Sequence, residues 1–354
     1  MTADTSPRTP ATEDGRSLAE RHDVLLLDLD GTVYLGGQVI EHAPEALDRA
    51  ARAGSHPMYV TNNASRSPAD VAASLTGMGI AATAEDVLTS PQAAATMLAE
   101  THPAGAKVLV VGAPFLADSV AAVGLTPVRL VADEPVAVVQ GHSPDTGWRN
   151  LAEACIALRA GADWVACNVD STLPTDRGLL PGNGAMVQAL MAATGLRPRV
   201  AGKPARPLLD EAVRRVDGSR PLVVGDRLDT DIEAGVAAGM PSLLVLTGVC
   251  TAAGLLAAGP AQRPSSVALD LRGLLDPDRA VALDGAAPAD GWAVTLDGST
   301  LVLDRGDREP HPDPDVDALR ALGALTVAAW ESGATAVRAG SSAAEPVLRR
   351  WDLD

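Results

Sequence analysis

The sequence predicts an α/β fold built around a parallel sheet, and three observations support this. Short aliphatic runs such as 24–27 and 221–224 have the length of strands that are buried on both faces. Segments with helical spacing separate these runs, as expected when parallel strands are joined by crossover helices. The length of 354 residues is sufficient for two domains and a smaller third part.

Composition and charge exclude several classes of partner. The formal net charge of −17 at pH 7 argues against binding to nucleic acid or to an anionic membrane surface. The first twenty residues lack an apolar segment, and no apolar run has the length of a membrane span. Cys155, Cys167 and Cys250 are scattered without CxxC spacing, which is typical of buried small hydrophobes in a reducing compartment. We therefore expect a cytoplasmic protein with no nucleic-acid or membrane partner.

The elements can be predicted in chain order from hydrophobic spacing and from breaker residues. Residues 1–19 are rich in Thr, Pro and Asp and are predicted to be a disordered tail. The spacing then predicts, in order, strand 24–27, helix 44–53, strand 57–60, helix 68–77, helix 91–100, strand 107–111, helix 114–123, strand 135–140, helix 148–160, strand 164–167, helix 184–194, strand 221–224 and strand 242–246.

The last part of the chain has a different character. Residues 276–290 are rich in Asp, Pro and Ala and are predicted to be a linker. Two alternating strands, 292–296 and 300–303, meet at Asp297-Gly298, a strong hairpin signal. A helix over 316–332, a strand over 335–338 and a short terminal helix complete a predicted ββαβ extension, which we expect to serve in docking or regulation.

Two carboxylates follow the first predicted strand. Asp28 and Asp30 come directly after the run 24–27, and Gly31 allows the chain to turn tightly there. Burying two acids at a strand end is unfavourable unless a divalent cation, a lysine or backbone N–H groups balance the charge. The alternative is a strand end capped by two solvated acids, so the partners elsewhere in the chain decide between the two interpretations.

Polar side chains also follow the second predicted strand. Thr61, Asn62 and Asn63 lie between that strand and Ser67-Pro68, which has the pattern of a helix start. A hydroxyl and small amides before a helix N-terminus favour an anion site, with an ordinary Asx/Thr turn as the alternative.

The remaining candidates lie after residue 198. Lys203 stands before Pro204 where the chain leaves the predicted insertion, and a surface lysine is the alternative there. The strand 221–224 runs into the sequence GDRLDTDI, which contains Asp226 and Asp231.

Taken together, the segments Asp28–Thr32, Thr61–Asn63, Lys203-Pro204 and 225–232 resemble, in this order, the four motifs of the haloacid dehalogenase superfamily in the form found in its phosphatases. The resemblance implies a Rossmann-like core at 20–82 and 198–275, an α/β cap domain inserted at 83–197, and an extension at 276–354 that is not part of this fold.

The resemblance also implies roles for these residues. Asp28 would attack phosphorus and form an aspartyl-phosphate, while Asp30 would protonate the leaving alcohol and then deprotonate water. Lys203 would neutralise the Asp28 carboxylate and the phosphate. Further phosphate contacts would come from the second motif and from the loop after the first strand, namely Leu29, Thr61, Asn62 and Asn63.

A metal ion is implied as well. Mg²⁺ would be held by Asp28, Asp30 and Asp226, with Asp231 holding either Lys203 or a water on the metal. Oxygen ligands suit Mg²⁺. Since none of the four motifs contains cysteine or histidine, zinc is disfavoured.

The cap is less well defined. The segment 168–178 resembles the cap loop that reaches the substrate, and Arg177 is the candidate there for a second substrate contact, a solvated surface arginine being the alternative. Members of the superfamily often carry an Asp soon after the glycine that corresponds to Gly141, whereas this chain reads His142-Ser143. His142 is therefore an open candidate for a substrate contact, next to the interpretation of a solvated loop histidine.

The predicted function is Mg²⁺-dependent hydrolysis of a small phosphate monoester. Glycerol 3-phosphate is the preferred substrate, because actinobacterial glycerol phosphate phosphatases carry an extension of this kind. Nucleoside monophosphates, pyridoxal phosphate and 2-phosphoglycolate remain alternatives, as does a catalytically silent phosphate-binding regulator. A dehalogenase would not need Asp30, and a silent core would be expected to have lost one of the motif residues. A homodimer is left open.

Overall fold

The computed structural model describes residues 15–64, 66–175, 177–284, 291–306 and 309–354. In chain order the strands are β1 (Val24–Leu27), β2 (Tyr34–Leu35), β3 (Gln38–Val39), β4 (His56–Thr61), β5 (Val87–Thr89), β6 (Lys107–Val111), β7 (Thr126–Val128), β8 (Ala137–Gln140), β9 (Asp163–Ala166), β10 (Thr172–Thr175), β11 (Gly178–Pro181), β12 (Arg199–Val200), β13 (Pro221–Gly225), β14 (Ser242–Val245), β15 (Ser266–Ala268), β16 (Ala280–Ala282), β17 (Trp292–Asp297), β18 (Thr300–Arg305) and β19 (Ala336–Ala339). The α-helices are α1 (Leu18–Arg21), α2 (Ala43–Arg52), α3 (Pro68–Gly77), α4 (Ser90–Ala99), α5 (Pro114–Ala122), α6 (Trp148–Arg159), α7 (Asn183–Thr194), α8 (Pro207–Arg215), α9 (Glu233–Ala238), α10 (Ala252–Leu256), α11 (Pro314–Ser332) and α12 (Glu345–Arg350).

The chain forms two compact units, which we call the terminal unit (1–57 and 219–354) and the central unit (58–218). In the terminal unit, β1 pairs in parallel with β13, β13 with β14, and β14 with β15. Strand β16 adds antiparallel to β15. All four residues of β1 are buried, as expected for a strand covered on both faces. Because β1, β13 and β14 are parallel neighbours, the residues after their carboxyl ends lie at one edge of the sheet.

The ββαβ extension belongs to the hydrophobic core of the terminal unit. Strands β17, β18 and β19 form a three-stranded sheet, with β18 in the middle. Helix α11 packs against this sheet and also against α10 and β16. One cluster of buried side chains therefore contains residues of the core strands, such as Leu244 and Val267, together with residues of the extension, such as Leu303 and Leu322.

The central unit contains a second parallel sheet, in the order β12-β9-β8-β6-β7. Helices α6 and α7 cover one face around a cluster that includes Val138, Trp164 and Val187. Helix α4 contacts β8 and β9, and α5 contacts β6 and β7. Strands β4 and β5 pair in parallel, and β10 and β11 form an antiparallel hairpin after β9.

Helix starts follow the local sequence signals. At α3, Ser67 accepts from the Asp70 N–H at 3.2 Å, and the Asp70 carboxylate accepts from the Ser67 N–H at 3.3 Å. These two hydrogen bonds form a reciprocal capping box at the helix start that Ser67-Pro68 predicted. Helix α11 has a simpler start, in which the Asp313 side chain accepts from the Asp315 N–H at 2.9 Å. It ends before Gly333, which has a φ of 77°.

The predicted strands and helices are confirmed to within a few residues, and the errors lie in short or polar segments. The linker prediction for 276–290 is wrong at 280–282, since these residues form the edge strand β16; residues 285–290 lie outside the described part. The tail prediction extends too far, because Ser17 caps α1 at Leu18, while 1–14 are not described. The cap loop 168–178 contains a strand, β10, rather than loop alone.

Membrane insertion by a helix is not supported in the described residues. None of their helices has both the length and the apolar character required to cross a bilayer.

Candidate active site

Three carboxylates meet at the carboxyl edge of the terminal unit's sheet. Asp28 follows β1, Asp226 follows β13, and Asp231 lies a few residues further on. One carboxylate oxygen from each falls within 4.8 Å of the others. Asp226 and Asp231 are fully buried, and Asp28 is half-buried. Because like charges in a buried site repel one another, this cluster is a favourable place for a cation.

Glycines make room for the Asp226 carboxylate. Gly31 has a φ of +88°, and a Cβ placed on it would lie 2.5 Å from Asp226 Oδ2. A Cβ on Gly248 would overlap the same carboxylate. Two backbone segments therefore approach Asp226 more closely than any side chain would permit, and this explains the need for glycine at both positions.

Hydrogen bonds fix the orientation of the buried acids. Asp226 accepts from the Val249 N–H at 2.7 Å and from the Thr32 hydroxyl at 3.4 Å. Asp231 lies on a π-helical turn, Leu228–Ile232, and accepts from the Arg227 N–H at 3.2 Å. Such turns are rare and occur frequently at functional sites.

Asp30 occupies a different position from the three clustered acids. It lies two residues after Asp28, is exposed, and forms an isolated parallel bridge with Tyr34 at the base of the β2–β3 hairpin. The Gly31 N–H donates to the Tyr34 carbonyl at 2.7 Å, which closes this turn. The predicted metal ligands were Asp28, Asp30 and Asp226; the carboxylates that cluster are those of Asp28, Asp226 and Asp231.

The environment of the thiol next to this cluster, that of Cys250, favours its protonated form. Burial raises the pKa of Cys250 to about 12, with further contributions from the Asp226 and Asp229 carboxylates. The thiolate is the reactive form of cysteine, so this shift disfavours a nucleophilic role for Cys250 at neutral pH.

The central unit holds the polar and cationic candidates. Thr61, at the end of β4, is buried, and its hydroxyl oxygen accepts from the Asn63 N–H at 3.1 Å. A hydroxyl that accepts one hydrogen bond still has its own proton to donate. Lys203 is 2 % exposed, and its ammonium donates to the Val60 carbonyl at 3.1 Å.

Asn62 and Lys203 are joined by a reciprocal pair of hydrogen bonds. The Lys203 N–H donates to Asn62 Oδ1 at 2.8 Å, and Asn62 Nδ2 donates to the Lys203 carbonyl at 2.8 Å. Asn62 Nδ2 also donates to an oxygen of Asp170 at 3.3 Å. The structure therefore brings together Asn62 and Lys203, which are 141 residues apart in sequence.

Residues after β9 complete this network. Asn168 Nδ2 donates to the Asn62 carbonyl at 2.8 Å, as does the Ser90 hydroxyl. Asn183, the first residue of α7, donates to the Asn168 carbonyl at 2.7 Å. Neither Asn168 nor Asn183 is among the predicted site residues. The rule that identified Thr61 applies to Asn168 as well, since it also stands just after a run of buried strand residues.

The two cap candidates remain predictions. Arg177 is exposed at the turn of the β10–β11 hairpin, next to Gly178. His142 follows β8 and is half-buried, and its Nδ1 is a buried atom that has no hydrogen-bond partner among the described residues.

The carboxylate cluster fits Mg²⁺ on its donor chemistry. It offers oxygen atoms only, two of the three acids are buried, and the glycines at 31 and 248 keep the space beside Asp226 free of side chains. Hard divalent cations such as Mg²⁺ prefer this donor set, and zinc sites are usually built from cysteine and histidine.

Two family models match parts of the chain. One family model, described as haloacid dehalogenase-like hydrolase, matches residues 25–126. A second, described as HAD-hydrolase-like, matches residues 200–274. The two matches leave residues 127–199 uncovered.

Curated relatives share much of the sequence. D-glycerol 3-phosphate phosphatase of Mycobacterium tuberculosis is 50% identical over 346 residues, which cover 96% of each chain. 5'-nucleotidase YutF of Bacillus subtilis is 40% identical over 226 residues, covering 63% of this chain and 87% of its own.

Solved structures show the same pattern. A glycerol phosphate phosphatase from Mycobacterium tuberculosis, solved in complex with magnesium, matches with a TM-score of 0.88 and 50% identity, covering 96% of this chain and 99% of its own. A p-nitrophenyl phosphatase from Archaeoglobus fulgidus matches with a TM-score of 0.66 and 28% identity, covering 72% of this chain and 98% of its own.

Proposed function

Since the chain belongs to the haloacid dehalogenase-like hydrolases and is a phosphatase, we propose that it hydrolyses glycerol 3-phosphate with the help of Mg²⁺. The observation that carries this proposal is the extent of the match to the mycobacterial enzyme. That match covers 96% of both chains and so includes most of the extension. The nucleotidase and the p-nitrophenyl phosphatase cover only 63% and 72% of this chain.

We assign the covalent chemistry to Asp28 and Asp30. An Asp28 oxygen attacks phosphorus, the bond from phosphorus to the leaving oxygen breaks, and Asp30 supplies the proton that the leaving alcohol takes. Asp30 then removes a proton from water, which attacks the aspartyl-phosphate and releases inorganic phosphate. The exposure of Asp30 suits a group that must exchange protons with an alcohol and with water.

We assign phosphate binding to groups that supply positive charge or hydrogen-bond donors. The Thr61 hydroxyl retains a proton to donate, and the Lys203 ammonium is held in a buried position. Donors fixed before the reaction begins stabilise the charge that develops on the phosphoryl oxygens. Backbone groups near Leu29 and Asn63 belong to the same proposal, and Arg177 is its candidate for a second substrate contact.

Asp28, Asp226 and Asp231 are the carboxylates that would hold Mg²⁺, which would supply positive charge to the phosphate oxygens. The contribution of Asp30 to the metal remains a prediction. A cytoplasmic location and a homodimer also belong to this proposal. The free state of all three cysteines is consistent with a reducing compartment.

The proposal is tested by measuring phosphate release from a panel of monoesters, in Mg²⁺ and after addition of EDTA. The panel contains glycerol 3-phosphate, a nucleoside monophosphate, pyridoxal phosphate and 2-phosphoglycolate. We expect release that depends on Mg²⁺ and has its highest kcat/KM for glycerol 3-phosphate. A preference for another ester would keep the phosphatase and overturn the substrate, while full activity in EDTA would overturn the metal.

A further inference from the structure

The amide of Asn62 is fully occupied by contacts inside the central unit. An asparagine side chain has two N–H donors. One donates to the Lys203 carbonyl at 2.8 Å and the other to Asp170 Oδ2 at 3.3 Å. Phosphate oxygens accept hydrogen bonds, so an amide whose donors are both used has none to offer a phosphate. The orientation of the amide is fixed by its partners, because the Lys203 N–H can only donate and the Lys203 carbonyl can only accept.

The backbone of Asn62 is held just as firmly. Its carbonyl accepts from both Ser90 Oγ and Asn168 Nδ2 at 2.8 Å. These partners come from two other segments, the start of α4 and the loop after β9. Gly202 packs directly on the Asn62 amide, where a Cβ would overlap Oδ1. Asn62 is therefore anchored from several sides and can act as a fixed support for Lys203.

We infer that Asn62 is a positioning residue for Lys203 rather than a direct ligand of the phosphate. The inference rests on the proposed function, in which the Lys203 ammonium neutralises the phosphate. The two hydrogen bonds at 2.8 Å fix both the N–H and the carbonyl of Lys203, and thereby the point from which its side chain extends. A displacement of about 1 Å at a positioning group can lower a rate roughly a hundredfold.

Additivity of two substitutions distinguishes the two roles. In the complete protein with Mg²⁺, the affinity for inorganic phosphate is measured by calorimetry for the wild type, Asn62→Ala, Lys203→Ala and the double variant. kcat and KM for glycerol 3-phosphate are measured in parallel. Asn150→Ala is the matched control, because Asn150 caps α6 in the same unit through the Gly147 N–H and is exposed.

We expect Asn62→Ala to weaken phosphate binding and to lower kcat by roughly 10- to 100-fold. In the Lys203→Ala background the same change should have almost no further effect, since a residue that acts through Lys203 loses its role with it. The Asn150→Ala control should resemble the wild type. Hydrogen exchange of the backbone around residue 203 should be faster in Asn62→Ala and unchanged in Asn150→Ala.

Other outcomes overturn the inference. If Asn62→Ala weakens phosphate binding by the same factor with and without Lys203, Asn62 contacts the phosphate itself. If Asn62→Ala has no effect while Lys203→Ala abolishes activity, Lys203 is positioned by other groups. If Lys203→Ala is fully active, its assignment under the proposed function fails and the inference fails with it. Should Asn62→Ala not fold, Asn62→Ser, with a smaller side chain that cannot bridge both groups of Lys203, replaces it.

Discussion

At the scale of single residues, the proposed chemistry depends most directly on Asp28. We expect Asp28→Asn to lower turnover by at least about a thousandfold, because an amide oxygen is a poor nucleophile toward phosphorus. Asp48→Asn is the matched control, since Asp48 is an exposed acid on α2 that is paired with Arg52. Phosphate release by both purified variants checks the prediction, and retained activity in Asp28→Asn would contradict the mechanism.

Tyr59 offers a test of stability that is independent of catalysis. Its side chain is 1 % exposed, and its hydroxyl has no hydrogen-bond partner among the described residues. Burial, with a contribution from the Asp86 charge, raises the pKa of Tyr59 above its ordinary value. A buried hydroxyl without a partner costs about 1–3 kcal/mol. We therefore expect Tyr59→Phe to increase the free energy of unfolding by about 1 kcal/mol in guanidinium titrations. A decrease would indicate that the hydroxyl is bonded to a buried water.

At the scale of elements, Asp163 joins three segments of the central unit. Its carboxylate, at the start of β9, pairs with Arg199 of β12 and with His102 after α4. Burial acts to raise the pKa of Asp163, but the hydrogen bond and charge of Arg199 and the contact with His102 outweigh it and lower the pKa.

This pairing predicts an acid-sensitive contribution to stability. A carboxyl group whose pKa is lower in the folded state stabilises the protein above its unfolded pKa of 3.8, and the contribution is lost as the pH falls through the lower folded value. We expect Asp163→Asn to reduce the free energy of unfolding at pH 7. Below pH 4, the free energy of unfolding of this variant should decrease less with falling pH than that of the wild type. Unfolding curves at several pH values, with Asp145→Asn as an exposed control, check this. Parallel pH profiles of wild type and Asp163→Asn would contradict it.

Helix α11 packs against the core strand β16, with Gly323 at the contact. A Cβ on Gly323 would lie 2.5 Å from Val281 Cγ1. Alanine is favoured over glycine within a helix by about 1 kcal/mol, whereas overpacking a core costs about 1–3 kcal/mol. We expect Gly323→Ala to destabilise the protein, and the loss to disappear when Val281→Ala is also present. Thermal unfolding of the two single variants and of the double variant measures this, and equal losses in both backgrounds would rule out the contact.

Strand β16 also illustrates where prediction from the sequence fails. β1 and β13 were predicted because a run of aliphatic side chains buried on both faces is a strong signal. β16 falls within the predicted linker, because it is only three residues long and its residues, Ala280–Ala282, are mostly small. Such a strand is stabilised by its partner β15 and by α11 rather than by its own propensity.

The candidate site shows the same contrast. Asp28, Asp226 and Lys203 are recognisable because the segments that contain them resemble family motifs in the right order, although each residue alone has a structural alternative. The hydrogen bonds that join Asn62 with Asn168 and Asp170 are not recognisable in the sequence. Side-chain hydrogen bonds between distant segments leave no periodic pattern there. The proximity of Asp231 to Asp28 depends on the π-helical turn, which spacing alone does not reveal.

At the scale of the whole molecule, the core strands and the extension share one cluster of buried side chains. This shared cluster predicts that the extension unfolds together with the sheet that holds Asp28. Trp292, Trp330 and Trp351 lie in the extension and contribute to the shared cluster. The other two tryptophans, Trp148 and Trp164, lie in the central unit. A variant with Phe at both of these positions would therefore report on the extension alone.

In this variant, we expect the fluorescence transition in guanidinium to coincide with the loss of phosphatase activity, as for a single cooperative unit. A fluorescence change at a guanidinium concentration at which activity is still retained would identify the extension as a separately folding lobe. That result would also favour the docking role predicted from the sequence.

The pairing of β1 with β13 has a consequence for biosynthesis. Val24 lies opposite Pro221, so the strand that presents Asp28 acquires this neighbour only after about 200 further residues have been translated. At roughly 5–20 residues per second, this is a delay of about 10–40 s. The central unit, continuous in sequence, can fold during this interval, whereas the aliphatic strand Val24–Leu27 cannot complete its sheet. We therefore expect chaperones to bind the nascent chain near the strand Val24–Leu27 rather than within the central unit.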